Sequence, residues 1–284
     1  MKRQGREEPM LIVRRVANTI RRVSGPNAAF LSDAPWNDQS TCRNCGAAMN
    51  TPFCGACGQK AAQRLAWRTS VQETWERVRL FELPMVKTMA RLALAPGRVA
   101  REYVLGRRSA NMHPLKLLVA LVAILVVMLA ANQYFARFDF AGRDAVVDKM
   151  AKRVMLYANW SFSIGIVAIF LGSWTVLRRR LGYNALEHAT LAIYCQCVTL
   201  GLVIVNLLPT LVWRDAQFVM WHKAAAQYYM FALKLLIVAV GYKQFFLLDL
   251  RSDWPRWAGA LAVYAVSSWL LLRAYALSIL WLVS

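Results

Sequence analysis

Acidic residues are scarce in this chain. Of 284 residues only 15 are Asp or Glu, against 35 Lys or Arg, and only 3 are His. No two carboxylates stand at a spacing suited to general acid and base work, and neither a glycine-rich phosphate loop nor a nucleophile elbow occurs. His113, His188 and His222 are far apart in the chain. These absences place an enzymatic role behind the alternatives. A second absence has a positive meaning. From Leu117 to Ala131 the sequence LLVALVAILVVMLAA has no charge and no polar side chain, and with its flanks it supplies the roughly 20 residues that cross a hydrocarbon core.

What is present is apolar or basic. Hydrophobic residues make up 58% and charged ones 18%, with a mean hydropathy of +0.35, the profile of a polytopic membrane protein with a soluble appendage. The formal net charge of +20 invites anionic surfaces, and in a membrane protein the nearest is the lipid head-group layer. Nucleic acid is not expected as a partner, because no aromatic residues interleave the basic ones for base stacking. Residues 1–40 read as a basic arm. Val13, Val16, Ile20 and Val23 recur at helical spacing among Arg14, Arg15, Arg21 and Arg22, a pattern suited to an anionic membrane surface; the alternatives are a disordered arm, or first residues that lie upstream of a natural start at Met10. Ser24 to Ser40 reads as linker.

Residues 41–60 hold the sharpest motif. Cys42, Cys45, Cys54 and Cys57 form C-x2-C-x8-C-x2-C, each pair followed by a glycine, Gly46 or Gly58. Two such knuckles suit four thiolates around one tetrahedral Zn²⁺, and the glycines permit the tight turn that brings backbone N–H groups toward sulfur. Large apolar residues are nearly absent from the unit, so the metal must supply most of its folding free energy. Disulfides or a redox dithiol are the alternatives; the basic flanks favour a cytoplasmic, reducing location, hence zinc. Four cysteine ligands leave no open position, so the ion is expected to be structural.

Residues 61–113 read as amphipathic interfacial helices. Ser70 and Glu73 make a capping box before VQETWERVRLFEL, Pro84 breaks the run, MVKTMARLALA ends at Pro96 and Gly97, and RVAREYVLG forms a short basic helix. The order CRNCGAAM, FCGACGQK, TWERV and LAPGRVAREYVLGRRSANMHP, leading into the first span, resembles the bacterial membrane family of unknown function DUF3667. The resemblance implies an N-terminal zinc ribbon and a signature carried here by Pro96, Gly97, Tyr103, Gly106, Arg107, Arg108 and Pro114. It also implies an acid-histidine pair at Glu187 and His188. Relatives carry a second histidine where this chain has Tyr194, which weakens a metal or proton-relay role for the pair.

Residues 114–284 read as an all-α transmembrane domain of about five spans, near 115–135, 155–177, 189–213, 227–248 and 257–283. Ser161, Gly165, Ala168 and Gly172 form a small-residue stripe for close helix packing. Arg178, Arg179 and Arg180 mark a cytoplasmic loop, giving an inner-membrane protein with its N-terminus cytoplasmic; the basic residues between the first two spans fit this orientation poorly. Glu187, His188, Gln196 and Lys243 are candidates for an intramembrane polar cluster in the cytoplasmic leaflet, with interfacial anchoring as the plainer account. Cys195 and Cys197 face apart and read as packing residues. The expected function is a membrane-anchored adaptor or scaffold whose zinc ribbon and basic helices bind a cytoplasmic protein or anionic lipid, with homo-oligomerisation expected. The alternative is a small transporter or lipid-handling protein built on the polar cluster.

Overall fold

Local sequence dictates seven helices among the residues described. The computed structural model describes residues 40–61, 64–65, 83–131, 161–213 and 215–283. All of them belong to Gln39–Ser284, one of two units of the chain, the other being Met1–Asp38. The basic arm, the capped helix after Ser70, the charged loop after the first span and the start of the second span lie outside the described residues.

Helix α1 spans Leu83–Leu94 and α2 spans Pro96–Val104. Pro84 stands in the first turn of α1, where a missing N–H is tolerated. On α1 Thr88 and Leu92 are buried, with Met85 and Met89 packed beside them; this three-and-four spacing is one helical face. The transmembrane candidates are α3 (Pro114–Ala131), α4 (Ser161–Leu177), α5 (Ala185–Val212), α6 (Ala216–Phe245) and α7 (Trp254–Val283). Of these, α3, α5, α6 and α7 are long and apolar enough to cross a membrane, and α4 is a shorter apolar helix. The protein is therefore an all-α polytopic membrane protein with a small cysteine-rich unit ahead of its helices. The expected second span is described only from Ser161.

The helices pack through α5, which touches α1, α2, α3, α4 and α6, while α7 lies on α4 and α6. On α3 only Pro114, Leu117, Ala120, Leu121, Leu125 and Leu129 are buried; Val119, Val126 and Val127 face outward, as lipid-facing residues of a span do. The small-residue stripe on α4 is a packing face inside the subunit. A Cβ on Gly165 would come within 2.5 Å of Gln196 Oε1 on α5, and one on Gly172 within 2.5 Å of the Tyr242 hydroxyl on α6 and 2.8 Å of the Ala260 carbonyl on α7. Cys195 and Cys197 are fully buried. The first lies against Gly241 of α6 and the second 4.0 Å from the Pro114 carbonyl. They thus face apart, as their two-residue spacing requires.

Two ends of the bundle differ. At one end lie the cysteine-rich unit, α2, the α4–α5 turn and the α6–α7 turn, joined by Arg64 to Gly182 (2.8 Å) and by Arg180 to Phe246 (3.1 Å). At the other end, His222 lies 2.9 Å from the Asn206 carbonyl and Tyr229 bonds the Asn206 side chain. The expected placement of the ribbon on the same side as Arg178 to Arg180 follows from these contacts.

Candidate metal centre and its dock on the membrane helices

The cysteine unit is one local structure used twice, twelve residues apart. In the first copy Cys42 N–H donates to Ala47 and Gly46 N–H to Cys42; in the second Cys54 N–H donates to Gln59 and Gly58 N–H to Cys54, all at 2.8 Å. Each closes with an antiparallel bridge, Thr41 with Ala48 and Phe53 with Lys60. Gly46 and Gly58 have φ of 78° and 68°, the left-handed region that glycine enters without steric penalty. The two turns face each other and bring four sulfurs together.

Those sulfurs fit a metal ion. All four Sγ atoms lie within 4.8 Å of one another, with Cys42 to Cys57 at 3.6 Å and Cys45 to Cys54 at 3.5 Å. A tetrahedron with metal–sulfur bonds of about 2.3 Å has edges of about 3.8 Å, close to this spacing. Without a cation the thiols cannot share the negative charge evenly. Cys57 is held down to about 6, chiefly by the Gln59 N–H and then the Asn44 side chain. Cys45 is pushed up to about 12; the Ala47 N–H opposes this, and the Cys54 thiol, burial and the other two cysteines outweigh it. A divalent ion would remove that competition by stabilising all four thiolates. The site can hold a metal ion.

Gln59 fastens this unit to the helices. Only two residues past Cys57, its backbone carbonyl closes the second knuckle, and its side chain is buried in the opposite direction. Its Nε2 donates to the Gly106 carbonyl at 2.6 Å, while its Oε1 accepts from Arg108 N–H at 3.2 Å and Ser109 N–H at 3.0 Å. Arg43 of the first knuckle reaches the Leu105 carbonyl at 3.5 Å.

The receiving turn explains the signature residues one by one. Pro96 opens α2 in its first turn. A Cβ on Gly97 would overlap the Gly241 carbonyl oxygen and stand 2.8 Å from both Gln244 Cβ and Phe245 N, so only glycine lets α2 press onto α6. Tyr103 is buried edge-on to Tyr194 and His113. Gly106, with φ of 99°, ends α2: its N–H donates to Tyr103 and that of Arg107 to Glu102, a Schellman closure. Arg107 lies 3.6 Å and Arg91 2.7 Å from Glu102. Arg108 lies over the Tyr103 ring, and Pro114 opens α3. Helix α2, expected as an interfacial helix, turns its apolar face onto α5 and α6.

Tyr194 donates to the Met112 carbonyl at 2.7 Å, and Met112 N–H donates to Thr88 Oγ1 at 3.1 Å. Burial, reinforced by Lys116 and Arg108, lowers His113 to about 4. Its ring is therefore neutral at ordinary pH.

The four polar-cluster residues have different roles. Glu187 is buried and forms a capping box with Asn184, accepting at 2.7 Å from Asn184 N–H while Asn184 Oδ1 accepts from Glu187 N–H at 2.9 Å. It also pairs with Arg64 at 3.1 Å. His188 is fully buried, with Nδ1 3.0 Å from Ser173 Oγ, its ring edge-on to Trp174, and no partner for Nε2. Gln196 is buried against Gly165. Lys243 is exposed on α6 and does not join the buried three. Sequence reasoning passed over Gln59, Arg64, Glu102 and Asp253; of these only Glu102 carried a signal, as the lone acid in the basic segment from Pro96 to Arg108.

Residues 84–126 match the family model DUF3667, described as a protein of unknown function. No curated protein and no solved structure matches the chain. The matched stretch contains most of α1, all of α2, its closing turn and the first part of α3, and the cysteine unit lies outside it. The chain thus resembles the DUF3667 family through the helices that receive the cysteine unit.

Proposed function

We propose that this integral membrane protein is a membrane-anchored adaptor. A structural Zn²⁺ closes the four-cysteine unit, the ribbon side faces the cytoplasm from a bacterial inner membrane, and the ribbon with its neighbouring basic helices presents a surface to a cytoplasmic protein. The buried Gln59 side chain carries this reading. A unit fixed by three hydrogen bonds to the turn before the first span is held as a rigid platform, which suits presentation to a partner. Four cysteines around one ion leave no position for a substrate, which favours presentation over chemistry.

Native mass spectrometry of the detergent-purified protein beside Cys42→Ser tests this. The expected result is one zinc ion in the wild type, none in the variant, and a co-purifying protein lost together with the metal. A wild type without zinc, or a partner retained equally by the metal-free variant, would overturn the reading.

One observation favours a transporter or lipid-handling role. His188 is buried, and among the described residues its Nε2 has no hydrogen-bond partner. That role predicts a lipid or solute retained by the wild type and lost in His188→Ala with zinc intact.

A further inference from the structure

Two leucines stand where the backbone favours glycine. Leu181 has φ of 60° and Leu247 φ of 50°, a left-handed conformation that crowds any Cβ. One follows α4 and the other follows α6, yet a single side chain ties their turns together. Arg180 donates to the Phe246 carbonyl at 3.1 Å and the Leu247 carbonyl at 3.2 Å, and pairs with Asp253 at 2.8 Å. Both leucine side chains then point away from the core, 44% and 40% exposed. Neither leucine joins the buried core in return for the strained backbone.

The surroundings say what does cover them. Leu250 and Trp254 are also exposed, and Trp254 opens the apolar stretch Trp254–Ser278 of α7. This places the patch at the depth where a span enters the head-group layer and where tryptophan concentrates. Around it the charge is predominantly positive, with Asp249 the one exposed carboxylate among residues 178–182 and 246–254. Arg178, Arg179 and Arg251 are exposed, and among the described residues none of the three is in an ion pair. Of the nearby acids, Asp253 is taken by Arg180 and Arg256, and Asp249 Oδ1 accepts from the Arg251 N–H.

We propose that the two turns clasped by Arg180, residues 178–182 and 246–254, form a binding site for anionic phospholipid. Leu181, Leu247, Leu250 and Trp254 enter the glycerol and upper acyl region, and Arg178, Arg179 and Arg251 take the phosphates. The site rests on membrane embedding alone and is independent of the metal and of any protein partner.

The test uses the full-length protein in a neutral maltoside detergent. Lipid retention is read by native mass spectrometry, and thermal unfolding is followed with added phosphatidylglycerol or phosphatidylcholine. The wild type retains phosphatidylglycerol in preference and melts higher with it. The triple variant Arg178→Gln, Arg179→Gln, Arg251→Gln loses at least about tenfold in apparent affinity for that lipid, and the corresponding triple lysine variant keeps most of it. The double variant Leu181→Gly, Leu247→Gly, which relieves the backbone strain, melts no lower than wild type in detergent alone and gains less from phosphatidylglycerol. Cys42→Ser retains lipid unchanged, which separates this site from the adaptor reading. Equal retention of the two lipids by the wild type, or undiminished phosphatidylglycerol binding by the glutamine variant, would overturn the proposal. So would a co-purifying protein that depends on these residues when lipid does not, for the surface would then belong to that protein.

Discussion

The cysteine unit and the helical core meet at Gly106, and they are held together by opposite means. The unit from Thr41 to Lys60 has two buried cysteines and almost no apolar interior, so its shape depends on what the sulfurs hold. The core under α2 contains Tyr194, Tyr242, Phe245 and Phe246, all fully buried, and its stability comes from packing. Agents that attack one region should leave the other standing. Among the described residues, the cross-links that could spread damage include Gln59 and Arg43 at the turn, and Arg64 and Leu65 at the start of α5.

The strongest attack on this contrast is metal removal. Cys54→Ser, or a chelator, should abolish metal binding and unfold the unit, since a structural zinc supplies on the order of 10 kcal/mol of folding free energy to such motifs. Metal analysis should fall from one equivalent to none while far-UV circular dichroism keeps its helical signal; a collapse of helix content would show that the two regions are one cooperative unit. Next is the packing side. Gly97→Leu forces α2 off α6 and should cost about 3 kcal/mol or more, seen as a lower thermal midpoint with metal content unchanged. Gln59→Leu removes the dock from within, leaving the Gly106 carbonyl and two N–H groups unpaired at about 1–3 kcal/mol. Hydrogen exchange should then rise in residues 41–60 and 105–109 and stay low in α5.

Acid probes the interface more gently. His113 has a folded value near 4, below its ordinary 6.5, so the unfolded chain takes up its proton first. The contribution of this ring is full above about pH 6.5 and is lost as pH falls toward 4, and His113→Gln should flatten that part of a stability-against-pH curve. The smallest effect is expected at the half-exposed Arg64. Arg64→Gln should cost less than about 1 kcal/mol because solvent screens its pair with Glu187; a larger loss would mean that residues after the ribbon contribute more than the pair itself.

Legibility in the sequence followed the range of the interactions. The four-cysteine site was readable because its sulfurs and turn glycines lie within the seventeen residues from Cys42 to Gly58, and the spans because a hydrocarbon solvent imposes composition residue by residue. The stripe of Gly165, Ala168 and Gly172 announced close packing, but not against Gln196 and Tyr242, since partner choice has no local signal. Gln59 was illegible for the same reason: its partners lie 47 to 50 residues away. Glu187 admitted two readings, a charge in an intramembrane cluster or an interfacial anchor. Helix α5, at 28 residues and about 42 Å, is longer than a bilayer core of about 30 Å, and in its first turn Glu187 serves as cap and ion-pair partner; neither partner has a local signal in the apolar run that follows. Leu181 and Leu247 gave no warning, because leucine is not a turn residue.

The seat of α2 also sets an order of assembly. Helix α2 is made before the first span, yet Gly97 can reach its place only when Gly241 exists, 144 residues later in the chain. At roughly 5–20 residues per second of synthesis, the part of α2 that packs on α6 waits on the order of ten seconds for its partner. Insertion of α6 is therefore the event that completes the packing of α2, and a chain halted before it has α2 seated on α5 but not on α6, with the face that carries Gly97 still uncovered.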